Sequence, residues 1–287
     1  MTCVFAAEMG HNDIYTFKEM IQLEDSEKFI EAMNKEISVH TDRKHWEVMR
    51  KSDLPRDDNG KRAKTIMSIW SFKRKRDPFG VIEKYKARLC AHGGQQQWGV
   101  NYWETYAPVV EWMAVRLLLI LAEIEGLETR SIDFILAFPQ ADLDVEVFME
   151  LPMGMDIDGN PDSHRTHGLR LKKSLYGLKQ GSYNWFELLK TTLLSPEFNF
   201  AQSNVDPCVY FREDIILLSY VDDCILISRD STVIDNVITA LKKNFELTDD
   251  GTLQKYLGVE IQGCGRRPAQ RYLELSSGRR YAKLPCE

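Results

Sequence analysis

The stretch Ile215-Ile216-Leu217-Leu218-Ser219-Tyr220-Val221-Asp222-Asp223-Cys224-Ile225-Leu226-Ile227 decides the reading of this chain. It sets two adjacent carboxylates in the middle of an apolar run. An ionised carboxylate denied water must be paired or metal-bound, or its pKa rises until it is neutral. Two buried strands joined by a turn accommodate the pattern best, with the acidic pair at or beside the turn. Local sequence leaves two destinations open for Asp222 and Asp223. One is a hard cation taking oxygen ligands. The other is an ordinary solvated turn, since Asp is a common turn former.

A second carboxylate is embedded in the same way. Ser131-Ile132-Asp133-Phe134-Ile135-Leu136-Ala137-Phe138 reads as a buried strand broken at Pro139. If it lies beside the 215–227 hairpin, Asp133 and Asp222 converge on one sheet edge. That geometry suits two divalent cations about 4 Å apart. Mg2+ is the apt ion, because it combines carboxylate oxygens with substrate phosphates instead of needing a full protein cage. For Asp133 by itself, a buried Asp paired with a nearby Lys or Arg is the competing reading.

A net charge of −6 is a poor average for a nucleic-acid binder, but the distribution is uneven. Between Lys61 and Arg88 ten basic residues meet only Asp77 and Glu83, a local +8. A basic patch on an acidic body focuses a polyanion onto one face; a solvated, charged hairpin without a ligand gives the same pattern. The cysteines Cys3, Cys90, Cys208, Cys224, Cys264 and Cys286 are scattered, against a disulfide framework or zinc cluster and in keeping with a reducing compartment. The six histidines form no ligand spacing and read as surface residues. No run approaches the ~20 apolar residues of a membrane span, and the first residues lack the basic start of a signal peptide. An intracellular protein of cytoplasm or nucleus, with no membrane partner, is expected.

Helices are expected over residues 15–40, from Met113 to Glu125 ending before Gly126, from Tyr183 to Leu194 and from Val233 to Phe245. The Met113–Glu125 segment is apolar enough to read as a buried helix. Strands are expected over 65–72 and 81–90 around an Asp77–Gly80 turn, then at Val209–Phe211, in the acidic hairpin and at Tyr256–Ile261. Residues 151–168 read as loop. Helices and strands mix without strict alternation, which indicates α+β.

Several segments carry a resemblance. They are Trp70–Gly80, Tyr85–Gly93, Asn101–Val110, Val115-Arg116-Leu117-Leu118, Glu146–Pro152, Leu171–Gln180, Asp206-Pro207-Cys208-Val209-Tyr210, the Tyr220–Asp223 box and Tyr256–Ile261. In this order and spacing, over about 28–262, the chain resembles the reverse transcriptase of copia-type LTR retrotransposons. The resemblance implies a right-hand polymerase fold with an antiparallel palm sheet. The N-terminal helical extension would occupy 1–44. Fingers would occupy about 45–107 and 148–181, and palm about 108–147 and 182–262. The tail 263–287 would be the truncated start of a thumb.

Function is implied by the same likeness: RNA-directed DNA polymerisation, adding deoxynucleotides to a primer 3′-hydroxyl on an RNA or DNA template-primer. Asp133 and Asp222 would hold two Mg2+ ions, for which Mn2+ could substitute, with Asp223 beside them. Phe138 would exclude a 2′-hydroxyl, Lys75 and Arg88 would clamp the deoxynucleoside triphosphate, and Gln180 would contact nucleotide or template. Leu257 and Gly258 would hold the primer end. Two places depart from the family's pattern. Gly181-Ser182-Tyr183 follows Gln180 where a small residue, Pro and Arg are usual. Asp133 precedes Phe134 instead of Val, and Pro139-Gln140 follows Phe138 where Leu-Asn-Gly is usual. The alternative reading is a catalytically inactive retrotransposon-derived remnant that binds nucleic acid at most. A different Mg2+-dependent phosphoryl-transfer enzyme is the more distant one, disfavoured by the lack of a P-loop or kinase signature.

Overall fold

A computed structural model describes residues 13–77, 79–256, 259–262, 274–277 and 280–283. The chain divides into two compact units, Met1–Glu104 with Asp142–Gly181 and Thr105–Ala141 with Ser182–Glu287. In chain order, β1 (Ile14–Tyr15), α1 (Phe17–Met20), α2 (Ser26–Asp42), β2 (Trp46–Arg50), β3 (Thr65–Ile66), β4 (Ser68–Arg76) and β5 (Ile82–Ala91) open the first unit. The second begins with α3 (Trp112–Glu125), β6 (Glu128–Phe134) and α4 (Ala137–Gln140). The first unit resumes with β7 (Asp142–Glu150), α5 (Ser163–Thr166) and β8 (His167–Lys173). Then come α6 (Gly181–Leu193), β9 (Ala201–Gln202), β10 (Val209–Arg212), β11 (Ile215–Tyr220), β12 (Asp223–Ser228), α7 (Ser231–Asn244) and β13 (Leu247–Thr252). Four short strands close the series: β14 (Lys255–Tyr256), β15 (Val259–Gln262), β16 (Glu274–Ser277) and β17 (Arg280–Lys283).

In the first unit the β4–β5 hairpin turns where Asp77 Oδ1 accepts from the backbone N–H groups of Phe79 (2.9 Å) and Val81 (2.8 Å). Strand alternation gives the hairpin two unlike faces. Trp70, Phe72 and Leu89 are buried with Phe29 and Met33 of α2. On the opposite face Ser71, Lys73 and Lys75 stand in register with Arg88, Lys86 and Lys84. A second sheet, β2-β8-β7-β3, shares this core.

The helix expected over 15–40 is two helices. Thr16 and Glu19 form a reciprocal capping box that starts α1, and α2 starts afresh after Asp25. The histidine reading is also corrected. His40 and His45 are buried, their Nδ1 atoms 2.8 Å apart, with His40 stacked on Trp46. Burial first, then the charges of His40, Arg43 and Lys173, push His45 down to about 4.

In the second unit a six-stranded antiparallel sheet runs β13-β6-β12-β11-β10-β9. Its period-2 pattern serves two cores. Ile132, Phe134, Cys224 and Leu226 pack with Trp185 and Leu189 of α6 and Ile234 and Ile238 of α7. Leu218, Ile225 and Ile227 pack with Val115, Leu119 and Ala122 of α3. The helix α3 ends at Gly126, whose φ of 64° is the left-handed C-cap that glycine adopts freely. It buries one stripe only, since a helix laid on a sheet offers it one face; Met113, Leu117 and Ile124 stay exposed.

The strand around Asp133 runs 128–134, not 131–138. Leu136 enters the left-handed region at φ 51°, and α4 follows with Phe138 on it. The expected last strand, 256–261, is instead the antiparallel pair β14 and β15. The 151–168 loop closes early, into α5 and β8. Helices with sheets that, among the described strands, are antiparallel except for the short parallel β3–β7 pairing agree with the α+β class. No described helix is long and apolar enough to cross a membrane.

Candidate active site

The acidic box forms the tip of the β11–β12 hairpin. Tyr220 pairs with Asp223, leaving Val221 and Asp222 as the two turn residues. Val221 has φ 56°. A β-branched residue in that region is a genuine outlier, costing on the order of 1–3 kcal/mol, and persists only where its surroundings over-determine it. Two hydrogen bonds do so. The Phe134 N–H donates to the Asp222 carbonyl at 2.9 Å, and the Trp185 indole N–H donates to the Val221 carbonyl at 2.6 Å. Trp185 is buried, with edge-on contacts to Phe134 (5.0 Å) and Phe245 (5.5 Å). The bulky Phe134 therefore faces this core, on the sheet side away from Asp133, and helps to seat the turn.

The strand beside the hairpin is β6, and its register places Asp133 directly opposite Asp223. Directly paired residues of antiparallel strands share a face with Cβ atoms about 4.5–5.5 Å apart. Asp223 is pushed up to about 6, by burial first and then by the charges of Asp222, Asp133 and Asp250. Negative charge is thus concentrated at the start of β12 and the adjoining turn. Arg130, three residues before Asp133 and on the other face of β6, is engaged by Asp235 (3.1 Å) and Asp249 (2.8 Å). Crowded carboxylates with raised proton affinity form a donor set for a hard divalent cation. Among the described residues no group of three or more His, Cys, Asp or Glu is placed to hold an ion by itself. An ion here would draw on water or phosphate oxygens as well, which is the habit of Mg2+.

The remaining expected residues fall in different places. Phe138 is half-buried on α4, packed against the Trp185 core. Lys75 and Arg88 lie in the first unit on the cationic face of the β4–β5 hairpin. Lys75 is 3.5 Å from Glu83, and the Arg88 guanidinium sits 4.4 Å over the Tyr176 ring. Two other cations of the cluster are structural, for Arg74 pairs with Asp25 and Asp13, and Arg76 with Asp13. Gln180, expected to contact nucleotide or template, is engaged within the first unit. It is buried, accepts from Gln96 Nε2 at 2.9 Å and donates to the Asn101 carbonyl at 3.0 Å. Its amide is used to hold the 96–103 loop. Leu257 and Gly258 lie outside the described residues.

Sequence reasoning passed over Trp185 and Asp206 as parts of this framework. Asp206 accepts from the N–H groups of Glu111 and Cys208, each at 2.9 Å, and so ties the start of α3 to β10. Its position in Asp206-Pro207-Cys208, just before a strand, was the available signal. Trp185 offered only its place in an amphipathic helix.

Residues 47–268 match the family model described as reverse transcriptase (RNA-dependent DNA polymerase). The chain is 32% identical over 251 residues to the retrovirus-related Pol polyprotein from transposon TNT 1-94 of Nicotiana tabacum, covering 86% of this chain and 18% of that protein. It is 31% identical over 247 residues to the transposon RE2 polyprotein of Arabidopsis thaliana, 84% and 16% of the two chains. It is 29% identical over 266 residues to the Ty1-ER2 Gag-Pol polyprotein of Saccharomyces cerevisiae, 88% and 14%. The chain thus spans less than a fifth of the length of these relatives. With the aspartates on neighbouring strands and most of the chain matched, it belongs to the reverse transcriptase (RNA-dependent DNA polymerase) family, in its copia-type branch.

Proposed function

We propose that this chain is the polymerising core of a reverse transcriptase, extending a primer by nucleotidyl transfer. The second unit would serve as palm and the first as fingers. The observation that carries the reading is the register pairing of Asp133 with Asp223 beside the Asp222 turn. Asp133 and Asp222 would bind two Mg2+ ions. When bound, such ions activate the attacking 3′-oxygen and stabilise the leaving pyrophosphate. Asp223 adds negative charge next to both ligands and so strengthens the site's demand for cations. The strained turn fixes where the Asp222 carboxylate starts, and the Phe134 and Trp185 hydrogen bonds hold it there. Pre-set geometry of this kind lowers the reorganisation needed at the moment of transfer.

The other residues act on the nucleotide. Phe138, on the short helix after the Asp133 strand, would meet the sugar and clash with a 2′-hydroxyl. Lys75 and Arg88 would supply positive charge to the triphosphate. Gln180 would act through the loop it anchors, while Leu257 and Gly258 would hold the primer terminus. The test is extension of a DNA primer on an RNA template with Mg2+ and deoxynucleotides, beside Asp222→Asn. Extension abolished by the substitution supports the proposal. Salt-sensitive template-primer binding without extension in either protein supports the inactive remnant instead.

A further inference from the structure

The first unit carries two tryptophans in the open. Trp98 is 69% exposed and Trp103 is 53% exposed, yet both sit on a loop that is firmly held. Their rings meet edge to face at 5.7 Å and 72°, and the Trp98 indole N–H donates to the Trp103 carbonyl at 3.1 Å. Beneath them lies a network of amides. Gln96 Nε2 donates to the Asn101 carbonyl and to Gln180 Oε1, and Gln180 Nε2 donates to the same carbonyl. The Asn101 side chain accepts from the Gln97 N–H at 2.7 Å, and Gln96 Oε1 accepts from the Lys179 N–H at 2.8 Å. A large apolar ring left in water is costly, and ordering the loop that displays it costs entropy as well. A display of this kind suits a flat partner.

The surroundings indicate which partner. Lys179 lies 4.7 Å over the Tyr102 ring and donates to its hydroxyl at 3.1 Å. Three residues earlier on the same segment, Tyr176 lies under Arg88. Its carbonyl accepts from the Ala91 N–H at 2.7 Å. Arg88 in turn belongs to the hairpin face with Lys86, Lys84, Lys73 and Lys75. Cations and rings therefore interleave from the hairpin, through Arg88–Tyr176 and Lys179–Tyr102, to the tryptophan pair. Backbone-tracking charge with aromatic rings for stacking is the design of single-strand nucleic-acid binding.

We infer that the Trp98–Trp103 pair is a stacking station for unpaired bases, receiving a single-stranded segment whose backbone phosphates pass Lys179. This deepens the proposed function by giving the single-stranded template a seat on the first unit, and it rests on that reading only for the strand's identity as template.

The test uses the full chain and a fluorescein-labelled single-stranded RNA of about 12 nucleotides, with a blunt RNA–DNA duplex of equal length beside it. Expected is quenching of tryptophan fluorescence by the single strand. Trp98→Ala and Trp103→Ala should each weaken single-strand binding roughly tenfold, given the usual stacking contribution per base. Trp98→Phe should retain most of the affinity, and duplex affinity should stay as in the parent chain. The phenylalanine variant keeps the test decisive if an alanine variant fails to fold. Unchanged single-strand affinity in the folded variants overturns the inference, as does equal loss for single strand and duplex. So does a loss of self-association on Trp98→Ala with oligonucleotide binding intact. Failure of primer extension with the stacking behaviour intact would count against the proposed polymerase and not against this site.

Discussion

Replacing Asp223 by Asn should stabilise the metal-free protein while harming the function proposed for it. Asp223 is pushed up to about 6, against an ordinary value of about 3.9 for aspartate, by burial and by its three acidic neighbours. Two pKa units correspond to roughly 3 kcal/mol of native stability forgone at neutral pH. The group is only half-buried, and solvent screening reduces this to about 1–2 kcal/mol. The sign follows from proton binding. Folded Asp223 holds its proton more tightly than unfolded Asp223. Its stabilising contribution is complete below about pH 4 and is lost as pH rises through about 6. Asn carries no such loss. In EDTA at pH 7 the midpoint of thermal unfolding should therefore be about 2–8 °C higher for Asp223→Asn, with the difference shrinking to near zero at pH 4. Added Mg2+ should raise the midpoint of the parent chain more than that of the variant. A difference that is absent, or constant from pH 4 to pH 7, would refute the crowding of charge argued for this hairpin.

Three further outcomes are expected. Trp185→Phe removes the donor to the Val221 carbonyl and should destabilise by about 2 kcal/mol; faster hydrogen exchange at the Phe134 amide would show that the turn has loosened. His45 is pushed down to about 4, so its contribution is complete above its unfolded value of about 6.5 and lost as pH falls through 4. A chemical-denaturation series should accordingly find His45→Gln less sensitive than the parent chain to acidification between pH 6.5 and pH 4. Phe138→Ala should raise ribonucleotide incorporation relative to deoxynucleotides by roughly tenfold or more, read by competitive primer extension.

The acidic hairpin was legible because its two strands are apolar on both faces, and Tyr220-Val221-Asp222-Asp223 is the only polar interruption wide enough to be a turn. Asp133 was legible for the same reason, as a charge inside an apolar strand. The position of Gly126 after Met113–Glu125 gave the helix end that the structure shows. What the sequence could not carry was the side-chain traffic between distant segments. The indole bond from Trp185 to the turn spans 36 positions, and the Gln96–Gln180 bond spans 84; local pattern holds no trace of either. The same blindness made His40 and His45 surface residues when they pair inside the first unit. The strand carrying Asp133 was drawn too long because Ile135–Phe138 is apolar. Leu136 takes a left-handed conformation there, which periodicity does not register.

Asp133, Asp222 and Asp223 are proposed to form one centre for nucleotidyl transfer. The most direct measurement is primer extension on an RNA template by the purified chain with Mg2+ and all four deoxynucleotides, run beside Asp133→Asn and Asp222→Asn proteins of equal fold by circular dichroism. Extension by the parent chain and its loss in both variants are expected. Extension that survives either substitution, or a parent chain that binds primed template yet adds no nucleotide, would contradict the proposal.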